Sequence, residues 1–217
     1  MAPPPDPRAT SLFKCIKEGD LAALDLLVQQ DPSLLHLTHP EWSNAPVLVY
    51  AAHHGHLGMV DYLAAQGVPL DQTNSNGTTA MMRAALSGHG AVVGRLVELG
   101  ADPTLQDRYG LTALHFAAMG GDTAAAGHLL TLGLGVNSVT KNGWTPLHAA
   151  AGMGNEDMIS YLVSNGGDLG IQDRDGDSPL HNAVRGKRAS SVMLLLQLGA
   201  PGDLVRTVPT PPLSSYR

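Results

Sequence analysis

The stretch Gly143–Ala151, GWTPLHAAA, decides the fold, because two related stretches stand on either side of it: Gly110–Ala118, GLTALHFAA, and Gly176–Ala183, GDSPLHNA. Their opening glycines, at 110, 143 and 176, are 33 residues apart, and a weaker copy, Gly77–Ala85 (GTTAMMRAA), extends the series by one more step. The same step recurs outside these stretches. Gly55, Gly88, Gly121 and Gly154 keep it, as do Gly67, Gly100, Gly133, Gly166 and Gly199, and a leucine series runs through Leu63, Leu96, Leu129, Leu162 and Leu195. Three glycine registers and one leucine register locked to a single period mark an internal repeat, which fixes the architecture before any residue is given a role.

One copy, Asp107 to Thr140, can be built from local chemistry. The Thr112 hydroxyl caps a helix, and the next position, Ala113 here and Pro146 or Pro179 in later copies, suits a first helical turn, where a missing N–H costs nothing. Ala117 and Ala118 keep one face thin enough for a neighbouring helix to approach closely, and Gly121 ends the helix. Asp122 caps a second helix, a role that falls to Asn155 in the next copy, to His56 and His89 in earlier ones, and to Asp20 after Gly19. Leu129 and Leu130 face inward, and Gly133 supplies the left-handed conformation of a helix C-terminus. A helix pair this short cannot bury its own apolar face, so its stability must come from stacking on its neighbours.

The turn glycine, the TPLH tetrapeptide, the small-residue pair and the closing glycine together resemble the ankyrin-repeat family. The resemblance implies an all-α solenoid of stacked helix-turn-helix units with β-turn fingers. It covers residues 10–204: a divergent first repeat at about 10–40, whose Gly19 precedes Gly55 by 36 residues, then repeats at about 41–73, 74–106, 107–139, 140–172 and 173–204. The faintest full copy opens on Pro46–Ala52, PVLVYAA, and three extra residues fall in the loop around His39 to Ser43. Six units at the 8–10 Å spacing of packed helices give a curved rod of about 50 Å with a concave side. Residues 1–9 read as a disordered leader and 205–217 as a proline-rich tail.

Composition narrows the function. The 217 residues carry 13 Lys and Arg against 19 Asp and Glu, a formal charge of −6, so the positive field that phosphate binding needs is lacking and no nucleic-acid partner is expected. Cys15 is the sole cysteine, which excludes an intramolecular disulfide and suits a reducing compartment. No run reaches the roughly 18 apolar residues of a membrane span. A monomer in the cytoplasm or nucleus is expected, without membrane attachment.

No chemistry-bearing constellation survives placement on the repeat. By the resemblance, His115, His148 and His181 are tetrapeptide histidines that hydrogen-bond the turns of neighbouring units. His53, His54 and His56 form the one cluster, but no carboxylate or cysteine is fixed beside them to complete a metal site. Cys15, among Phe13, Ile16 and Leu21, reads as a buried, inert thiol. Ser178 lacks the following glycine of a hydrolase elbow, because Leu180 stands there, and no phosphate loop occurs. Asp173 and Asp175 are turn formers. The chain is therefore expected to be no enzyme and to use no cofactor or metal.

The resemblance also says where a partner docks: on the residues flanking each turn glycine and those just before each helix-closing glycine. These are Trp42, His53 and His54, then Arg108, Tyr109, Leu111 and Met119, then Lys141, Trp144 and Met153, then Arg174 and Arg185. Tyr109, Leu111, Met119, Trp144 and Met153 would make an apolar cluster rimmed by Arg108, Lys141, Arg174 and Arg185, suited to an acidic and apolar protein surface. On this reading Trp144→Ala and Arg108→Glu weaken capture while leaving thermal unfolding nearly unchanged. The expected function is a noncatalytic adaptor that binds another protein through the concave face. Two alternatives are a proteasome-assembly chaperone built of ankyrin repeats and the recognition domain of a larger enzyme or ubiquitin-ligase complex. In the last repeat Lys187 replaces the closing glycine, and the second helix, Val192 to Leu198, is apolar enough to require a cover from the tail or from a partner.

Overall fold

The computed structural model describes residues 7–202. The expected fate of the tail, and residues 1–6 of the leader, lie outside the described residues. Twelve α-helices occur among the described residues, paired as the repeat requires, in two compact units that divide after Leu134.

The first unit holds four pairs. They are α1 (Pro7–Glu18) with α2 (Leu21–Gln30), α3 (Val47–His54) with α4 (Leu57–Ala65), α5 (Ala80–Leu86) with α6 (Gly90–Glu98), and α7 (Ala113–Gly120) with α8 (Thr123–Thr131). First helices pack on first helices, α1 on α3, α3 on α5 and α5 on α7, and second helices follow suit, α4 on α6 and α6 on α8. The close approach is permitted by the alanine pairs Ala51 and Ala52, Ala84 and Ala85, and Ala117 and Ala118, all fully buried. Leu63, Leu96 and Leu129 are equally buried in the second helices, each burial worth about 1.5–3 kcal/mol. Leu130, expected to face inward, is only part-buried.

Helix α1 starts at Pro7, inside the stretch set aside as a leader, and the Arg8 guanidinium pairs with Asp31 at 2.9 Å just beyond α2. The extra residues before the second repeat form two short strands, β1 (Thr38–His39) and β2 (Ala45–Pro46), paired antiparallel around a 3-10 turn at Pro40–Trp42. Cys15 is partly exposed rather than buried, because it shares α1 with the core residues Leu12, Phe13 and Ile16 without joining them. Partial burial, with Asp20 and Glu18 nearby, pushes its thiol pKa up.

The second unit holds α9 (Pro146–Met153) with α10 (Glu156–Ser164) and α11 (Pro179–Arg185) with α12 (Ala189–Gln197). Here α9 packs on α11 and α10 on α12, again through buried small residues and through Leu162 and Leu195. Lys187 adopts φ +56°, the left-handed conformation that Gly154 supplies at the equivalent place one repeat earlier. On α12, Met193 and Leu196 are exposed, as the apolar sequence of that helix led one to expect.

Two of the helix-two caps behave as the sequence suggests: the Asp20 and Asp122 carboxylates accept from the Ala23 and Ala125 amides at 3.0 Å. The histidines at the same position do something else. His56 Nε2 donates to the Lys17 carbonyl at 3.0 Å and His89 Nε2 to the His53 carbonyl at 2.9 Å, so each ring ties its helix pair to the end of the preceding first helix. An imidazole is long enough to leave its own helix terminus and reach a carbonyl there, whereas a short aspartate is held to local amides.

Candidate functional site

Each turn tip is set by one inward side chain. Asp107 Oδ1 accepts from the amides of Tyr109 at 2.8 Å and Leu111 at 2.9 Å, and Asn74 Oδ1 does the same for Asn76 and Thr78. In the second unit Asp173 Oδ1 accepts from Asp175 and Asp177, both at 2.9 Å, and the Thr140 hydroxyl accepts from Trp144 at 3.0 Å. Successive tips are joined by a backbone bond, Arg108 N–H to the Asn76 carbonyl in one unit and Arg174 N–H to the Asn142 carbonyl in the other. At the Asp107 turn the backbone is therefore fixed without using the side chains of the predicted docking residues Arg108 and Tyr109.

The tetrapeptide histidines extend the same wiring inward. His148 Nδ1 accepts from the Thr145 amide at 3.1 Å, which leaves the proton on Nε2, and Nε2 donates to the Asp177 carbonyl of the next turn at 3.0 Å. Burial lowers the His148 pKa to about 4. Met82 replaces the histidine in the third repeat, and its sulfur accepts the Thr79 amide at 3.5 Å. At the last repeat His181 Nε2 has no acceptor among the described residues.

The sequence-predicted docking residues divide between the units. In the first, Tyr109 is 54% exposed, and the Arg108 guanidinium lies 5.0 Å from the centre of its ring. Leu111 and Met119 are part-exposed. In the second, Met153 is 49% exposed, and Lys141 and Arg174 are exposed. The five apolar residues expected as one cluster are thus three in one unit and two in the other, and neither unit contains the cluster whole.

Three predicted contact residues are held by neighbours within their own unit. Trp144 is no free tip: its indole Nε1 donates to Asp173 Oδ2 at 2.8 Å, and Asp173 is buried, so the expectation that losing Trp144 spares stability is corrected. Arg185 is ion-paired with the fully buried Asp177. Trp42 sits in a group of rings, with centroids 5.1 Å from Tyr50 and 4.2 Å from His53, and Tyr50 in turn stacks on His39 at 4.8 Å. His54 joins at 4.7 Å from Tyr50. Among the described residues no set of three or more His, Cys, Asp and Glu is arranged to hold a metal ion.

This ring group is electrostatically one-sided. Burial, followed by the charges of His54, Arg83 and His89, lowers His53 to about 4, and burial likewise pulls His39 and His54 down. His53 Nδ1 shares a 2.8 Å hydrogen bond with the Ser87 hydroxyl. Sequence reasoning missed Arg83, whose guanidinium carbon lies 5.9 Å from the Trp42 ring centre. The signal was available, because Arg83 stands four residues after its helix cap, where the flanking repeats carry Tyr50 and Phe116. On the second-helix side, a cleft of about 390 Å³ lies beside Arg95, but that guanidinium is occupied by Asp61 at 2.6 Å and Glu98 at 2.9 Å.

The profile of the family described as ankyrin repeats matches the chain three times, over residues 12–107, 92–173 and 114–206. No curated protein matches it. Ankyrin repeats generally mediate protein–protein interaction and are typically noncatalytic. Among the described residues no helix is long and apolar enough to cross a membrane. With the 33-residue period, the glycine-closed helix pairs and the bonded turn tips in place, the chain belongs to the ankyrin-repeat family.

Proposed function

We propose that the chain is a noncatalytic adaptor that binds a protein partner through the face made by its turn tips and first helices, acting as a monomer in the cytoplasm or nucleus. The observation that carries this is Tyr109. A large aromatic ring, 54% exposed, is presented by a turn whose backbone Asp107 fixes and is flanked by the Arg108 guanidinium. Tyrosine and arginine are enriched among residues that dominate binding energy, and a pre-set turn lowers the entropy lost when they engage. Met153, exposed at the end of α9, offers the second unit an adaptable apolar contact of the same kind.

Tyr109→Ala and Arg108→Glu should abolish capture of the partner while moving the melting temperature by less than about 3 °C, since neither side chain is part of the core. Loss of binding in proportion to loss of fold would sink the proposal.

A further inference from the structure

The first helices of the first unit carry a column of residues four positions after their caps: Tyr50 after Pro46, Arg83 after Thr79 and Phe116 after Thr112. Tyr50 and Phe116 are buried, with 5% and 6% of their surface exposed. Arg83, between them in sequence, is half-buried, its Nε has no hydrogen-bond partner among the described residues, and burial lowers its pKa with no neighbouring carboxylate acting against that effect.

A desolvated cation without a counter-ion is costly, and repeats that tolerate Tyr or Phe at this position show that the fold does not need a charge there. The groups around it supply no negative charge. Trp42 offers a ring face, His53 and His54 come from α3, and Ser87 and His89 stand at and beyond the end of α5. The Glu41 carboxylate acts on His39 and Tyr50 and not on Arg83.

We infer that Arg83 is a receptor for a carboxylate: an aspartate or glutamate side chain of the bound protein pairs with its guanidinium, and the residue next to that acid packs on Trp42. A single guanidinium balances one negative charge and falls short of the several donors a phosphate dianion demands, and the chain's charge of −6 repels polyanions. The inference rests on the proposed protein-binding face and names the chemistry of the partner.

Three measurements test it. Arg83→Met should leave the melting temperature equal or higher, because an unpaired, half-buried charge is replaced by an apolar side chain; a fall of more than about 3 °C would make Arg83 structural and overturn the inference. In nitrogen-15 spectra of the full chain, sodium acetate should shift the Arg83 Nε–H resonance saturably and leave that of Arg95 in place, with sodium chloride at equal ionic strength as control. No shift, or a stronger response to inorganic phosphate, overturns the carboxylate assignment.

Finally, a random peptide library selected on the full chain should yield peptides with an acid at a fixed place beside an apolar residue, binding Arg83→Gln about tenfold or more weakly. Peptides indifferent to Arg83→Gln would overturn the Arg83 site and leave the binding face standing. Failure to select any peptide, alongside the acetate shift, would keep the carboxylate site and remove the face.

Discussion

The His89 ring occupies the space over Gly55: a Cβ built on Gly55 would come within 2.5 Å of His89 Nδ1, and Nε2 of the same ring holds the His53 carbonyl. Gly55 is therefore needed twice, for its φ of +75° and for its missing side chain. Gly67→Ala, at φ +78° with open space around it, should cost only the left-handed penalty of about 1 kcal/mol. Gly55→Ala should cost about 1–3 kcal/mol more, and in a His89→Ala background this excess should vanish. Urea unfolding of wild type, the three single variants and the double variant checks it; equal costs at the two glycines would show that the ring moves aside freely.

Lys187 marks the reverse case. It holds φ +56° where Gly154 does the same job one repeat earlier, so a residue with a Cβ bears strain at a helix end. Lys187→Gly should stabilise the chain by about 1 kcal/mol in thermal or denaturant unfolding. A neutral or negative result would mean that the lysine side chain makes up for its backbone.

Trp144→Phe should destabilise by about 1.5–3 kcal/mol, because it keeps an aromatic ring but leaves Asp173 Oδ2, on a buried residue, without its 2.8 Å donor. Calorimetry of Trp144→Phe beside Tyr109→Phe separates the two aromatic tips. Tyr109, exposed, should show almost no change.

Acid should weaken the fold over a defined window. His148 and His53 both titrate near 4 when folded and near 6.5 when unfolded, so between those values the unfolded chain holds more protons and stability falls as pH falls. The contribution is complete above about pH 6.5 and is lost on the way down to about 4, at up to about 1.4 kcal/mol per pH unit for the fully buried His148. His53, partly solvated, contributes less. Unfolding free energies of wild type and His148→Gln between pH 4 and 7 measure the slope, and an unchanged slope in the variant would remove His148 as its source.

Period carried the sequence reading a long way. The glycine registers fell where φ is positive, the leucine series lies at the buried seam between second helices, and the threonine caps stand where helices begin. Periodicity assigns a residue to a position within its own unit. It says nothing of what a side chain with a polar end can reach about one repeat away. Trp144 finds Asp173 and His89 finds the His53 carbonyl at such separations, so one looked like a free anchor and the other like a simple cap. Arg83 was missed for a related reason. Its repeat departs from the TPLH pattern, and attention to the conforming copies passes over the odd residue in the column.

The way Asn74, Asp107 and Asp173 gather the amides of their own turns has a consequence for how this protein can change. Because the loop's shape is dictated from within, the outward pair at the Asp107 tip, Arg108 and Tyr109, is free to be rewritten by mutation without the chain having to solve its folding again. At that fingertip surface chemistry and foldability are inherited on separate residues, whereas at the next one Trp144 joins them through Asp173.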